Sequence, residues 1–347
     1  MPPEKLKIRP ILPIFLKIAL WGIAFLFAGW AGLWGIINFA GAWVPEPVVQ
    51  WVREPDLLRR PPARRCGECH RDIFEAWKES RHARAWVSKN YLKDSENRRK
   101  EKCLPCHIPL EVRPLRKPEP RPAERPDGIY CVPCHFKNGA MHGPHRLFSP
   151  PHPTVYDQDY NASGFCGACH EKTHEQWQHT GQRETCQSCH MPRTRKRLTQ
   201  KPPLSWLHRA KWVGDHRFLH GGFEPGTVKV DLQWSDAFIT VRLLNDTVPH
   251  HVPTADNGDP RLYLELELFT GTGQAWDRLK EILAPQQDTA LAWKQERRFR
   301  YRIAPEVRTA RLTLRYRPAW GEDQSTVLEK TFMRNKTGRE DPGIALQ

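Results

Sequence analysis

The chain has 347 residues, with 54 Lys and Arg against 39 Asp and Glu and a formal net charge of +15. Its length allows two or three compact domains, and a charged share of 27% is too ordinary for a wholly disordered protein. All ten cysteines fall into C-x-x-C pairs, each followed directly by His. That arrangement excludes an ordinary disulfide-stapled secreted domain and argues against a cytosolic enzyme.

Residues 1–17 read as a basic cytoplasmic N-terminus carrying Lys5, Lys7, Arg9 and Lys17. Ile18–Pro45 then gives 28 positions without a charged side chain. A helix of that length would measure about 42 Å, more than a bilayer core of roughly 30 Å. The basic flank keeps the N-terminus inside, so everything after residue 45 is expected outside the cytoplasmic membrane, in the periplasm. A cleaved signal peptide ending near Ala40-Gly-Ala42 is the alternative, but its apolar stretch would be unusually long. Ala24, Ala28 and Gly32, at four-residue spacing, could form a face for a partner helix. Residues 46–65 read as a polar linker ending in Arg59, Arg60, Arg64 and Arg65.

From 66 to 225 the chain carries five motifs: Cys66-x-x-Cys69-His70, Cys103-x-x-Cys106-His107, Cys131-x-x-Cys134-His135, Cys166-x-x-Cys169-His170 and Cys186-x-x-Cys189-His190. C-x-x-C-H is the attachment signature of c-type haem. Two thiols three positions apart reach the two vinyl groups on one porphyrin edge, and the adjacent His supplies the proximal iron ligand. Zinc ribbons also use C-x-x-C pairs, but two pairs serve one metal and no His need follow each. Thioredoxin-type pairs need a strand–helix context that is missing around these motifs. Five covalent haems are therefore expected. An internal repeat offset by 100 residues matches Cys66, His70, Glu75 and Trp77 to Cys166, His170, Glu175 and Trp177, and predicts a short helix after each of these two motifs. Segment 111–128, with its prolines, reads as extended.

After Cys189 there is no further cysteine. Thr227–Trp234, Phe238–Asn245, Leu262–Phe269, Arg298–Ile303, Thr309–Tyr316 and Thr326–Phe332 show strand patterns, with turn signals at Asn245-Asp246 and Asn257-Gly258. Residues 226–335 are thus expected to form an antiparallel β-sandwich, with a frayed tail over 336–347. The fold class expected is an N-terminal transmembrane helix, a multihaem domain of short helices and loops packed on haems, and this β domain.

Of 16 His, five belong to the motifs. His82, His142, His145, His152, His174, His179, His208, His216, His220, His250 and His251 remain, ample for five distal ligands. Met offers little competition, Met141 being the one candidate. Iron with two imidazoles has no open position and works as an electron carrier at low potential.

The ordered set of elements over residues 66–222 resembles multihaem cytochrome c proteins related to the tetrahaem electron acceptor of hydroxylamine oxidoreductase. The elements are Trp77-x-x-Ser80-x-His82-Ala83, Gly128-Ile-x-Cys131, Gly143-Pro144, His152-Pro153, Phe165-Cys166, Cys189-His190-Met191-Pro192, and His216-Arg-Phe218 with Gly221-Gly222. Asn245 followed by His250-His251-Val-Pro253-Thr254 is similar to an Asn…Gly-His-x-x-Pro-Thr-Gly element in β domains of some multihaem cytochromes. Here Pro249 and Ala255 replace the glycines. The resemblance implies His82, His152, His216 and His250 as distal ligands. His220 rivals His216, His251 rivals His250, and His145, His179 or His208 could supply a fifth.

The expected function is electron transfer between a quinol-linked membrane donor or other membrane redox subunits and a periplasmic or outer acceptor, with no catalytic residues. A multihaem reductase or dehydrogenase acting on nitrite or hydroxylamine, with one open iron, is the alternative, as is a haem-bearing subunit of a larger complex. The excess positive charge does not imply nucleic acid, because the region is expected outside the cytoplasm and haem propionates would cancel much of it. The run Arg193, Arg195, Lys196 and Arg197 could meet an acidic redox partner, or be a solvated loop.

Overall fold

The computed structural model describes residues 12–36, 38, 47, 53–149, 151–219, 226–319, 321 and 323–334. Residues 1–11, most of 39–52, His220, Gly221-Gly222 and the tail 336–347 lie outside the described residues.

Leu12–Gly35 forms one helix of 24 residues, about 36 Å long. Its stretch Phe15–Gly35 has a mean hydropathy of 1.7 and is long and apolar enough to cross a membrane. The large side chains point outward, Phe25 and Leu26 being 78% and 77% exposed. The helix begins before the charge-free run and takes in Lys17. A lysine near the end of an apolar helix can lay its stem along the helix and carry its ammonium outward.

The chain divides into two compact units. The first holds the residues up to Ala76, His135–Gln158 and Arg193–Gly214. Here the stretch expected as a linker is packed from Pro55 onward. Pro55–Leu58 makes a 3-10 turn and Ala63–Gly67 a one-turn helix, burying Leu57 and Ala63. Arg65 is held by Glu54, Glu68 and Asp56, the last at 2.6 Å, so local carboxylates absorb this basic charge. Strand β1 (Phe136–Lys137) pairs antiparallel with β2 (Ala140–Gly143), which runs parallel to β3 (Thr154–Tyr156). The basic run is strand β4 (Arg193–Lys196), antiparallel to β5 (Lys211–Gly214), with Arg193 and Arg195 exposed. Asn38, just past the apolar helix, donates to the carbonyls of Trp34 and Leu207, each at 2.8 Å, and accepts from the Arg209 N–H at 3.1 Å.

The second unit holds Trp77–Cys134, Asp159–Pro192 and the chain from Asp215 onward. Its first part is a set of short helices: Lys89–Asp94, Leu104–His107, Gly164–Gly167, Glu171–His179 and Cys186–His190. Ser88 and Thr185 cap two of them by accepting from Tyr91 N–H and Ser188 N–H. A small buried cluster joins Trp86, Tyr91 and Ile108. The segment 111–128 has no α-helix, only a 3-10 turn at Arg125–Asp127. Buried Arg121 organises it by donating to the carbonyls of Pro109, Ala123, Glu124 and Gly128 at 2.6–3.2 Å, its guanidinium 4.8 Å from the Tyr130 ring centre.

The second part consists of two antiparallel sheets. One is ordered β10-β7-β6, from Glu296–Arg302, Phe238–Leu244 and Lys229–Trp234. The other is β12-β11-β8-β9, from Ser325–Met333, Val307–Arg317, Arg261–Thr270 and Ala275–Leu283. Alternate residues of both sheets, among them Ile239, Val241, Leu243, Leu264, Leu266, Leu312 and Leu314, share one apolar cluster. Their near-complete removal from water is the main source of stability here. Strand β9 has no counterpart among the strands expected from the sequence. It is an edge strand whose outer residues are exposed, so its Asp277, Arg278, Lys280 and Glu281 hide the alternation.

Candidate haem-binding sites

Each C-x-x-C-H motif is wound as a single helical turn, so its second thiol lies one turn past the first. His70 N–H bonds Cys66 O at 2.9 Å and His170 N–H bonds Cys166 O at 3.0 Å. A nine-residue helix follows in both halves of the internal repeat, Arg71–Glu79 and Glu171–His179. The third motif is itself the helix Cys131–His135. None of the ten cysteines forms a disulfide.

The motif imidazoles are oriented through Nδ1. His70 meets Leu198 O at 2.5 Å, His107 Ala85 O at 2.6 Å, His135 His142 O at 2.8 Å, and His190 Leu219 O at 2.5 Å. A carbonyl only accepts, so Nδ1 carries the proton and Nε2 is left as the metal ligand. His107 is further locked by Tyr91, stacked on its ring at 3.9 Å.

Three other imidazoles face three of these rings. The ring centres of His70 and His152 are 6.3 Å apart, those of His82 and His170 6.4 Å, and those of His190 and His250 6.4 Å. Two metal–imidazole bonds of about 2.0–2.1 Å end to end, with about 1.1 Å from each ring centre to its nitrogen, give about 6.3 Å. The three gaps are therefore the width of one six-coordinate iron, and these residues fit c-type haem. His152 Nδ1 faces Pro153 O at 3.4 Å and His250 Nδ1 faces His251 O at 2.9 Å, which again leaves Nε2 for metal. Burial, with help from His170 and His216, pushes His82 down to about 3. Burial likewise takes His152 and His250 down to about 4, so all three imidazoles are neutral near pH 7.

The backbone of the loop that carries His250 is tied down by Asn245. This fully buried side chain donates to the carbonyls of Val248, His250 and Leu291 at 3.0, 2.8 and 3.3 Å, and accepts from Val248 N–H at 3.1 Å.

The other expected residues are placed as follows. His216 sits on the flank of His82, its ring edge-on to Phe218 at 5.8 Å. His208 is buried near His70, and burial, then Lys211 and His70, lowers its basicity. His145 is lowered by burial and by Lys211 and Arg193. His179 ends the helix Glu171–His179 and is exposed, and His251 is half-buried beside His250. His174, which carried no specific role in the sequence, is buried against Gly167 with its ring 5.4 Å from Trp177.

Two contacts link different motifs. Cys106 lies against Cys169 and Cys166 against Cys186. These contacts lower the thiols of Cys106 and Cys186, while the same contacts and burial raise those of Cys169 and Cys166. The attachment edges of the second, fourth and fifth motifs are thus adjacent.

Sequence reasoning missed Asp256. Its Oδ2 lies 3.3 Å from His170 Nδ1, and its Oδ1 accepts from Lys172 N–H at 2.7 Å. Burial alone would lower His170, but the Asp256 carboxylate outweighs it and the imidazole ends above its usual value. No spacing rule ties a residue of the β region to a motif so far upstream.

The sequence profile of the family described as Cytochrome c554 and c-prime matches residues 65–136. No curated protein matches the chain in sequence. Among solved structures, a penta-heme cytochrome c552 from Thermochromatium tepidum aligns with a TM-score of 0.57 at 16% identity, covering 80% of this chain and 99% of that one. A hypothetical protein from Pyrococcus horikoshii OT3 covers 32% of this chain and 92% of its own, at 13% identity and a TM-score of 0.19. A beta-glucuronidase of Bacteroides uniformis covers 31% of this chain and 13% of its own, at 16% identity and a TM-score of 0.18. The family match and the first of these folds, joined to the axial geometry, support a multihaem c-type cytochrome with an electron-transfer role.

Proposed function

We propose that the chain is a membrane-anchored pentahaem cytochrome c that relays electrons between a quinol-linked donor in the cytoplasmic membrane and a periplasmic or outer acceptor. The observation that carries this reading is the set of three imidazole pairs 6.3–6.4 Å apart in a chain whose every cysteine belongs to a C-x-x-C-H motif. Bound haem supplies reversible one-electron exchange between ferric and ferrous iron. The chain's residues do the rest. Cysteine pairs would fix each ring edge covalently, and at the three paired centres two imidazoles would fill both axial positions and leave no place for substrate. The Nδ1 partners hold each ligand's rotation. The contacts Cys106–Cys169 and Cys166–Cys186 favour close edges between successive carriers. The helix Leu12–Gly35 would anchor the haem and β regions on the outer face.

Haem quantification with low-temperature EPR on the purified, air-oxidised protein tests this reading. Five covalent haems with all-low-spin iron support it, and absence of covalent haem ends it. Membrane fractionation tests the anchor, because loss of residues 1–45 should release the protein as soluble material.

One observation favours the enzyme alternative at a single site. Among the described residues no second imidazole faces His107, whose ring stacks on Tyr91 instead. An exchangeable iron there would give a high-spin signal near one haem in five, and nitrite and hydroxylamine turnover would then be the assay.

A further inference from the structure

The five motif imidazoles are not held alike. Four point Nδ1 at a backbone carbonyl, those of Leu198, Ala85, His142 and Leu219. His170 points Nδ1 at a carboxylate, Asp256 Oδ2 at 3.3 Å. Asp256 lies in the connection between β7 and β8, and its side chain is only 11% exposed. Besides His170, it accepts from Lys172 N–H at 2.7 Å, from Thr173 N–H at 3.4 Å and from the Thr173 hydroxyl at 3.0 Å. The same connection is fastened to the helix Glu171–His179 through Gln176, whose side-chain oxygen accepts from the Thr254 hydroxyl at 2.8 Å and from His251 N–H at 3.2 Å. The carboxylate is therefore held at the imidazole by several independent contacts.

We propose that Asp256 is a positioning residue that tunes the iron held by His170 and His82, making it the most reducing of the three bis-imidazole centres. The inference rests on the haem reading above. A carboxylate that accepts the Nδ1 proton makes the opposite nitrogen a more basic ligand, and hydrogen bonding and charge around an axial ligand set its potential. The couple adds one electron, ferric to ferrous, with no bond made or broken, and the Nδ1 proton stays between His170 and Asp256 in both states. A full negative charge nearby favours the more positive ferric state, and a carbonyl dipole does so much less. The short connection carrying His250 and Asp256 thus acts on two centres at once. It ligates the iron of the fifth motif and holds that of the fourth oxidised.

The test is a redox titration of the full-length, haem-loaded protein, followed through its low-spin ferric EPR signals. His82→Met identifies the centre concerned, because methionine ligation raises its potential and changes its signal. In the unaltered protein that signal should be the last of the three bis-imidazole signals to disappear on reduction. In Asp256→Asn the same signal should disappear earlier, with at least a tenfold change in the ferric/ferrous ratio at fixed potential, or about 59 mV for one electron. Asp256→Glu should restore the original order. Thr254→Val, which loosens the connection but keeps the charge, should leave it unchanged. The proposal is overturned if Asp256→Asn keeps its full haem content and no midpoint moves, or if Thr254→Val moves the midpoint as far. If Asp256→Asn does not load haem, the unaltered protein decides: another bis-imidazole signal persisting longest overturns the proposal. Absence of covalent haem in the unaltered protein would instead refute the electron-carrier reading, so the two failures are distinct.

Discussion

Replacing Gly128 with alanine should break a ligand without touching it. Gly128 has φ +60° and ψ −128°, a conformation open to glycine but strained for any other residue. It crosses the turn that carries His82, and a Cβ there would stand 2.5 Å from His82 O, 3.0 Å from Ala83 O and 3.2 Å from Ala85 N. A carbon–oxygen contact settles at about 3.3–3.6 Å, so the crossing must open by about 0.8 Å. It cannot open freely, since Ile129 N–H bonds His82 O at 2.9 Å and Arg121 bonds Gly128 O at 2.6 Å. A metal–ligand bond tolerates only about 0.2 Å. The expected results are a loss of about 1–3 kcal/mol from backbone strain and a high-spin EPR signal from the iron opposite His170. Gly139→Ala is the control: φ is +77° there, but a Cβ would meet nothing within 4 Å. It should cost stability and leave the spin state alone. If Gly128→Ala shows unchanged low-spin content and an unchanged melting temperature, the argument that this crossing fixes His82 is wrong.

His250→Ala should turn one centre high-spin, and added imidazole should restore the low-spin spectrum; a spectrum unaffected by the substitution would remove His250 from the ligand set. Arg121→Met removes the side-chain donor of the Pro109, Ala123 and Gly128 carbonyls and one of two donors to Glu124 O, and should lower stability by about 2–4 kcal/mol by denaturant titration, with a partial copy of the Gly128→Ala spin change. Glu265, buried on β8, meets Arg278 at 3.0 Å, Arg315 at 3.5 Å and Lys280 at 3.6 Å. Glu265→Gln should cost about 1–2 kcal/mol, the exposure of these partners keeping the loss below that of a fully buried pair. Burial alone would raise the Glu265 carboxyl, but the three cations more than reverse it, and its pKa ends below the usual glutamate value. Its stabilising effect is therefore complete above about pH 4.5 and is lost as pH falls through the lowered value. Acid unfolding of the β region should be steeper in the parent than in Glu265→Gln, and equal slopes would contradict the assignment.

The motifs are legible because their chemistry is local: two thiols and an imidazole within five positions define one half of a site. The helices after the first and fourth motifs follow from the repeat, and most β strands follow from alternation around one apolar cluster. What escaped the sequence is non-local or disguised. His152 faces His70 and His82 faces His170 across more than 80 residues each, and nothing in the spacing says which ring meets which. Strand β9 hides its alternation under charges at a sheet edge, and residues 55–65 looked like a tether because Arg65 was read without Glu54, Asp56 and Glu68, the carboxylates that hold it. Asp256 had no signature, since a charge that tunes a ligand needs only proximity.

The two parts of the second unit make different demands during synthesis. The β region brings its own apolar interior and has what it needs to fold as it emerges. The motif helices are single turns with few apolar neighbours, so they depend on attached cofactor for an interior. Yet His250 and Asp256, which face His190 of the fifth motif and His170 of the fourth, lie beyond the last cysteine in the chain. Those two sites can therefore be closed only after the C-terminal sheets have formed, which makes folding of the β region the final step of assembly. A chain truncated before Asn245 should still receive its covalent haems and emerge with the fourth and fifth centres incorrectly coordinated.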